Sequence, residues 1–214
     1  MEGCFETRVN SKRNIRTWLF NPFYYIAGGK ALVAGVVLIL GAGFIGALSN
    51  SHFDGVLDFH TGATAPLWVF VVEGLINWIA MSSFLFLGGK IISKTHVRVI
   101  DVFGTQALAR FPGLVTMLFA LLPGYRRFAG HLAAQYIKTL PSVQTNQGDI
   151  IIFVITVLIA ILMLVWMVAL MYRAYSVSCN VTGGKAIGLF ILGLILGEAV
   201  SKVIITAIMS AVTL

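Results

Sequence analysis

Apolar residues in this chain fall into long runs, and neither the alternation of a half-buried strand nor the spacing of a surface helix dominates. A bilayer core of about 30 Å takes roughly 20 residues of helix. Four runs meet that length: Ala31 to Leu48 without a charge, Leu67 to Leu87 with only Glu73, Ile150 to Met171 without a charge, and Ala186 to Leu214 with only Glu198 and Lys202. A fifth, Val102 to Leu122, carries Gln106, Arg110 and a central Pro112, which a neighbouring helix or water must satisfy. The pattern predicts an all-α polytopic transmembrane bundle of five spans (about 31–48, 67–87, 102–122, 150–171 and 186–214) behind a leader of residues 1–30. A re-entrant hairpin broken at Pro112 is the alternative for the third run.

Composition agrees. Of 214 residues, 58% are hydrophobic and 11% charged, against about 25% charged in soluble domains. A soluble globule has nowhere to bury so much apolar surface, and a disordered chain has far less of it. The net charge of +7 sits beside the spans, so topology and anionic lipid account for it and no nucleic-acid partner is expected. Arg8, Lys12, Arg13, Arg16 and Lys30 precede the first span, whereas Ser49 to Pro66 contains no Lys or Arg. Lys90, Lys94 and Arg98 mark the second loop, and Arg173 and Lys185 the last one. These positions predict a cytoplasmic N-terminus and an external C-terminus. Arg126, Arg127 and Lys138 in the third loop run against that pattern, less severely than any four-span arrangement would.

The leader lacks the apolar stretch of a cleavable signal. Arg13 and Arg16 followed by Trp18, Phe20, Phe23, Tyr24 and Tyr25 make an interfacial collar, and Pro22 stops any helix begun before it. In the third loop, Phe128, Leu132, Tyr136 and Leu140 recur opposite Arg127, His131 and Lys138, predicting a short amphipathic helix on the bilayer surface. Cys4 and Cys179 fall on the same reducing side, so no disulfide is expected.

Candidate chemistry lies in the polar residues of the spans. Glu73 and Asn77 share one helix face, as do Glu198 and Lys202. A lone charge at the bilayer centre costs about 2.5–3.5 kcal/mol, so partners are required. Glu198 and Lys202 are expected to neutralise each other, and Glu73 to approach Arg110. Gly193, Gly197 and Ser201 form a ridge of small residues for close helix packing. The first external loop carries His52, Asp54, Asp58 and His60, residue types that ligate zinc, but in no established metal spacing. A solvated turn around Gly55 is therefore expected there, with no metal and no cofactor. Phosphate-loop, dinucleotide, zinc-protease and nucleophile-elbow motifs do not occur.

Trp-Leu-Phe-Asn-Pro-Phe (Trp18 to Phe23), Gly-Thr-Gln-Ala-Leu-Ala-Arg-Phe-Pro-Gly-Leu (Gly104 to Leu114) and Tyr-Ser-Val-Ser-Cys-Asn-Val-Thr-Gly-Gly-Lys-Ala-Ile (Tyr175 to Ile187) resemble the Yip domain family of five-span membrane proteins. The resemblance implies the same five-span topology and no catalytic residues. Eukaryotic members reside in the Golgi and endoplasmic reticulum and bind Rab-type GTPases through a long N-terminal region. The leader of about 30 residues here departs from that pattern and is similar to compact bacterial members of the cytoplasmic membrane. The expected function is non-enzymatic, through association with another membrane protein or a second copy, or through envelope organisation. The alternative is a small transporter or channel lined by Glu73, Asn77, Arg110, Glu198 and Lys202.

Overall fold

The computed structural model describes residues 15–62, 64–136 and 143–212. The leader contributes α1 (Ile15–Phe20), which stops before Pro22, and a single 3-10 turn at Pro22–Tyr24. The bundle is built from α2 (Gly28–Ser49), α3 (Leu67–Ile92), α4 (Val99–Leu108), α5 (Phe111–Ala120), α6 (Pro123–Tyr136), α7 (Gln147–Cys179) and α8 (Gly184–Val212). With α4 and α5 taken as one, five helices are long and apolar enough to cross a membrane. Two short strands, β1 (Ser51–His52) and β2 (His60–Thr61), pair antiparallel between α2 and α3.

Helix ends carry recognisable stops. Asn50 and Asn180 adopt the left-handed conformation after α2 and α7, where a short amide side chain is tolerated. Asn146 and Asp149 form a reciprocal capping box at the start of α7. The 33 residues of α7 extend about 50 Å, past a core of about 30 Å. Its helix continues through Arg173 because a charge ends a hydrophobic run without ending a helix.

The third span is continuous in direction and broken in hydrogen bonding. Between α4 and α5, Ala109 and Arg110 form a turn, and Pro112 lies in the first turn of α5, where its missing N–H costs nothing. Gly104 packs on Gly28 and Leu32, Gly35 on Ala107, Gly41 on Leu114 and Gly46 on Met117. Both halves thus run parallel to α2 along its length, and a hairpin turning back at Pro112 is excluded. Antiparallel to this pair lie α3, with Gly43 against Phe70 and Val71, and α7, with Gln106 Nε2 donating to Met171 O at 2.8 Å. The predicted small-residue ridge seats α8 on α3, with Gly193 against Leu85 and Gly197 against Met81.

One end of the bundle therefore holds Lys30, Lys90, Lys94, Arg98, Arg173 and Lys185. The opposite end holds the β1–β2 loop and α6. That loop is not the solvated turn expected from sequence. Val56 is fully buried and belongs to the same apolar core as Met81, Ala109, Met171 and Tyr175.

Candidate functional site

The loop between β1 and β2 descends into the bundle along α3 and climbs back along α8. On the way down, His52 Nδ1 meets Glu73 Oε1 at 2.7 Å, and one helical turn deeper Asn77 Nδ2 donates to Phe53 O at 2.6 Å. At the bottom, Leu57 N donates to Glu198 Oε2 at 2.9 Å, and Glu198 is at the midpoint of α8. On the way up, Lys202 pairs with Asp58. Gly55 sits where any Cβ would run into the Glu198 carboxylate, which would then have to shift.

Four of the five predicted intramembrane residues are thus brought together, each through a residue of the loop. Irregular backbone at this depth survives only where its N–H and C=O groups are satisfied inside the protein, and Asn77 and Glu198 do that directly. Two expected pairings are corrected. Glu198 and Lys202 form no direct ion pair, because the first accepts a backbone N–H and the second reaches Asp58, although Glu198 stays within electrostatic reach of Lys202. Glu73 takes His52 as its partner in place of Arg110. Arg110 nevertheless shares a cavity of about 30 Å³ with Glu73, lies within electrostatic reach of Glu198, and has one buried guanidinium nitrogen, Nη2, without a hydrogen bond in the protein.

The candidate metal ligands are engaged in the same framework. His60 Nε2 lies 3.1 Å from Asp54 Oδ2, and its ring stacks on that of His52 with centroids 5.7 Å apart. His52 also stacks on Phe70 at 4.3 Å. Among the described residues no group of three or more His, Cys, Asp and Glu is arranged to hold a metal ion. An open vestibule of about 250 Å³ leads to His52, Asp54, His60 and Glu73, with Ile205, Thr206, Met209 and Ser210 of α8 as its other wall.

Sequence reasoning missed the buried side of the loop. The signal was present: Phe53, Val56, Leu57 and Phe59 interleave with the His and Asp residues, an apolar content that water does not favour. It also missed Thr61 Oγ1 donating to Tyr125 OH at 3.0 Å, which ties β2 to α6. The predicted amphipathic helix is α6, while Lys138 and Leu140 lie outside the described residues. Arg127 on α6 forms a forked pair with Asp149, with Nη2 to Oδ1 at 2.5 Å and Nε to both oxygens at 3.1 Å. This pairing holds the Arg127 guanidinium above its usual range. Cys179 is buried and free, and Cys4 lies outside the described residues.

Compared with family models, curated proteins and solved structures, the chain matches none.

Proposed function

We propose that this is a non-enzymatic integral membrane protein of the Yip domain type, N-terminus cytoplasmic and C-terminus external, that acts by association within the membrane. The observation carrying this reading is the use of Glu73, Asn77, Glu198 and Lys202 to brace the inserted loop. Those residues are spent on architecture. What remains for other molecules is an apolar exterior, including the outward face of α7 at Ile151, Leu158, Leu162 and Val165, suited to lipid and to another membrane protein or a second copy. The resemblance to compact bacterial members favours a bacterial cytoplasmic membrane, with the Golgi or endoplasmic reticulum as the eukaryotic equivalent.

A small transporter or channel is the second reading, favoured by the vestibule that reaches Glu73 and by the unsatisfied Arg110 nitrogen. Proteoliposomes separate the two. Under the association reading, vesicles containing the protein hold proton and cation gradients as well as protein-free vesicles, and Glu73→Gln lowers the thermal midpoint. A leak specific to the protein and abolished by Glu73→Gln would replace association with transport. Association itself is checked by the mass of the complex extracted in mild detergent, which should exceed that of one chain.

A further inference from the structure

Beside the inserted loop runs a second cavity, of about 490 Å³, that bracing the loop does not explain. Its volume falls within the range of small-molecule sites, about 300–1,000 Å³. Phe53, Leu57 and Phe59 of the loop form its back, Leu132 of α6 one rim, and Phe153 to Met167 of α7 its length. That stretch of α7 rises about 20 Å, so the cavity is an elongated apolar trough at bundle depth. Val157 and Ile161, respectively 36% and 54% exposed, border its mouth. Asp58, the acidic residue in the lining, is already paired with Lys202.

A second cavity borders the trough. Thr61 and Ala133 line both the trough and this wider cavity of about 750 Å³ at the loop end of the bundle, which carries Arg126 and Arg127. Arg127 is committed to Asp149. Arg126 is exposed and has no ion pair among the described residues. An elongated apolar trough beside a wider chamber that carries one spare guanidinium has the outline of an acyl chain joined to a charged head. Guanidinium is also the side-chain group best shaped for a phosphate.

We infer that the trough and the chamber together form a binding site for one anionic phospholipid. An acyl chain lies between α7 and the inserted loop, and the phosphate sits at Arg126. The lipid comes from the leaflet at the α6 end of the bundle, and the chain in the trough packs against Phe53, Leu57 and Phe59, the residues that line the loop's flank.

The test is native mass spectrometry of the delipidated full chain, titrated with phosphatidylglycerol or with phosphatidylcholine bearing the same acyl chains. One phosphatidylglycerol is expected to saturate a first site about tenfold more tightly than phosphatidylcholine, which presents the same phosphate but adds a choline cation that Arg126 repels. Arg126→Gln should bring the two lipids level. Ala160→Trp fills the trough and should lower occupancy by both lipids at least about fivefold. Ala133→Trp, on the outer helix α6, should do the same and carries the test if the first variant does not fold. The inference is overturned by adducts without a saturating first site, or by unchanged occupancy in a folded trough variant. A lipid preference that survives Arg126→Gln, or displacement of the lipid by inorganic phosphate alone, overturns it equally.

Discussion

Glu198 shows how a single carboxylate can be structural at the centre of a membrane bundle. It accepts the N–H of Leu57, a part-buried donor at bundle depth, and an unsatisfied buried donor costs about 1–3 kcal/mol. Glu198→Leu should therefore lower stability by about 1–3 kcal/mol, read as a reduced thermal midpoint in nanodiscs. Glu198→Gln should lose less, because its amide oxygen still accepts. Equal stability of Glu198→Leu and wild type would refute this role. Tyr125 gives a second test. Burial holds its phenol above the ordinary value of 10, an effect only partly offset by the Thr61 hydrogen bond. The folded state thus retains the proton more tightly than the unfolded state. Its stabilising contribution is complete below pH 10 and is lost as pH rises through the folded value. Tyr125→Phe should flatten the alkaline fall in thermal midpoint relative to wild type, and parallel curves would refute it.

At the scale of elements, the helices were legible because lipid imposes a length and a polarity on any segment that crosses it. The expected 31–48 and 67–87 became Gly28–Ser49 and Leu67–Ile92, with ends displaced where charged or glycine residues remain helical. The break at Ala109 and Arg110 was visible only as a misplaced proline and arginine. The inserted loop was not legible, since its partners on α3 and α8 are distant in sequence and their pairing depends on tertiary packing. Its insertion has a direct check. In a background with Cys4→Ser and Cys179→Ala, Val56→Cys should resist a membrane-impermeant maleimide until detergent denaturation, whereas Thr64→Cys, which is exposed, should react at once. Rapid reaction at Val56→Cys would return the loop to solvent. Gly55→Ala should weaken the same protection by crowding Glu198.

For the whole molecule, the arrangement of α2, the α4–α5 span and α8 parallel to one another, with α3 and α7 reversed, follows from the glycine contacts and Gln106. Basic residues crowd one end, the end that the proposed topology assigns to the cytoplasm under the charge rule. In intact cells Thr64→Cys should then label from outside, and Thr95→Cys only after permeabilisation. The reverse pattern would invert the orientation. The charges of α6 at the opposite end run against the charge rule, and one of them, Arg127, is anchored to Asp149. The site residues were legible as a set and wrong in their partners: sequence shows that a buried charge needs company without showing which company it keeps.

The loop's lower half depends on a helix made much later. Leu57 and Glu198 are 141 residues apart, and Asp58 and Lys202 are 144 apart. At about 5–20 residues per second of synthesis, the loop waits roughly seven to thirty seconds for α8 to be made. Through that interval Asp58 and the backbone N–H of Leu57 lack their final partners. The last helix therefore serves as the latch of biogenesis. A chain that stops short of α8 leaves the Leu57 N–H and Asp58 without these two partners.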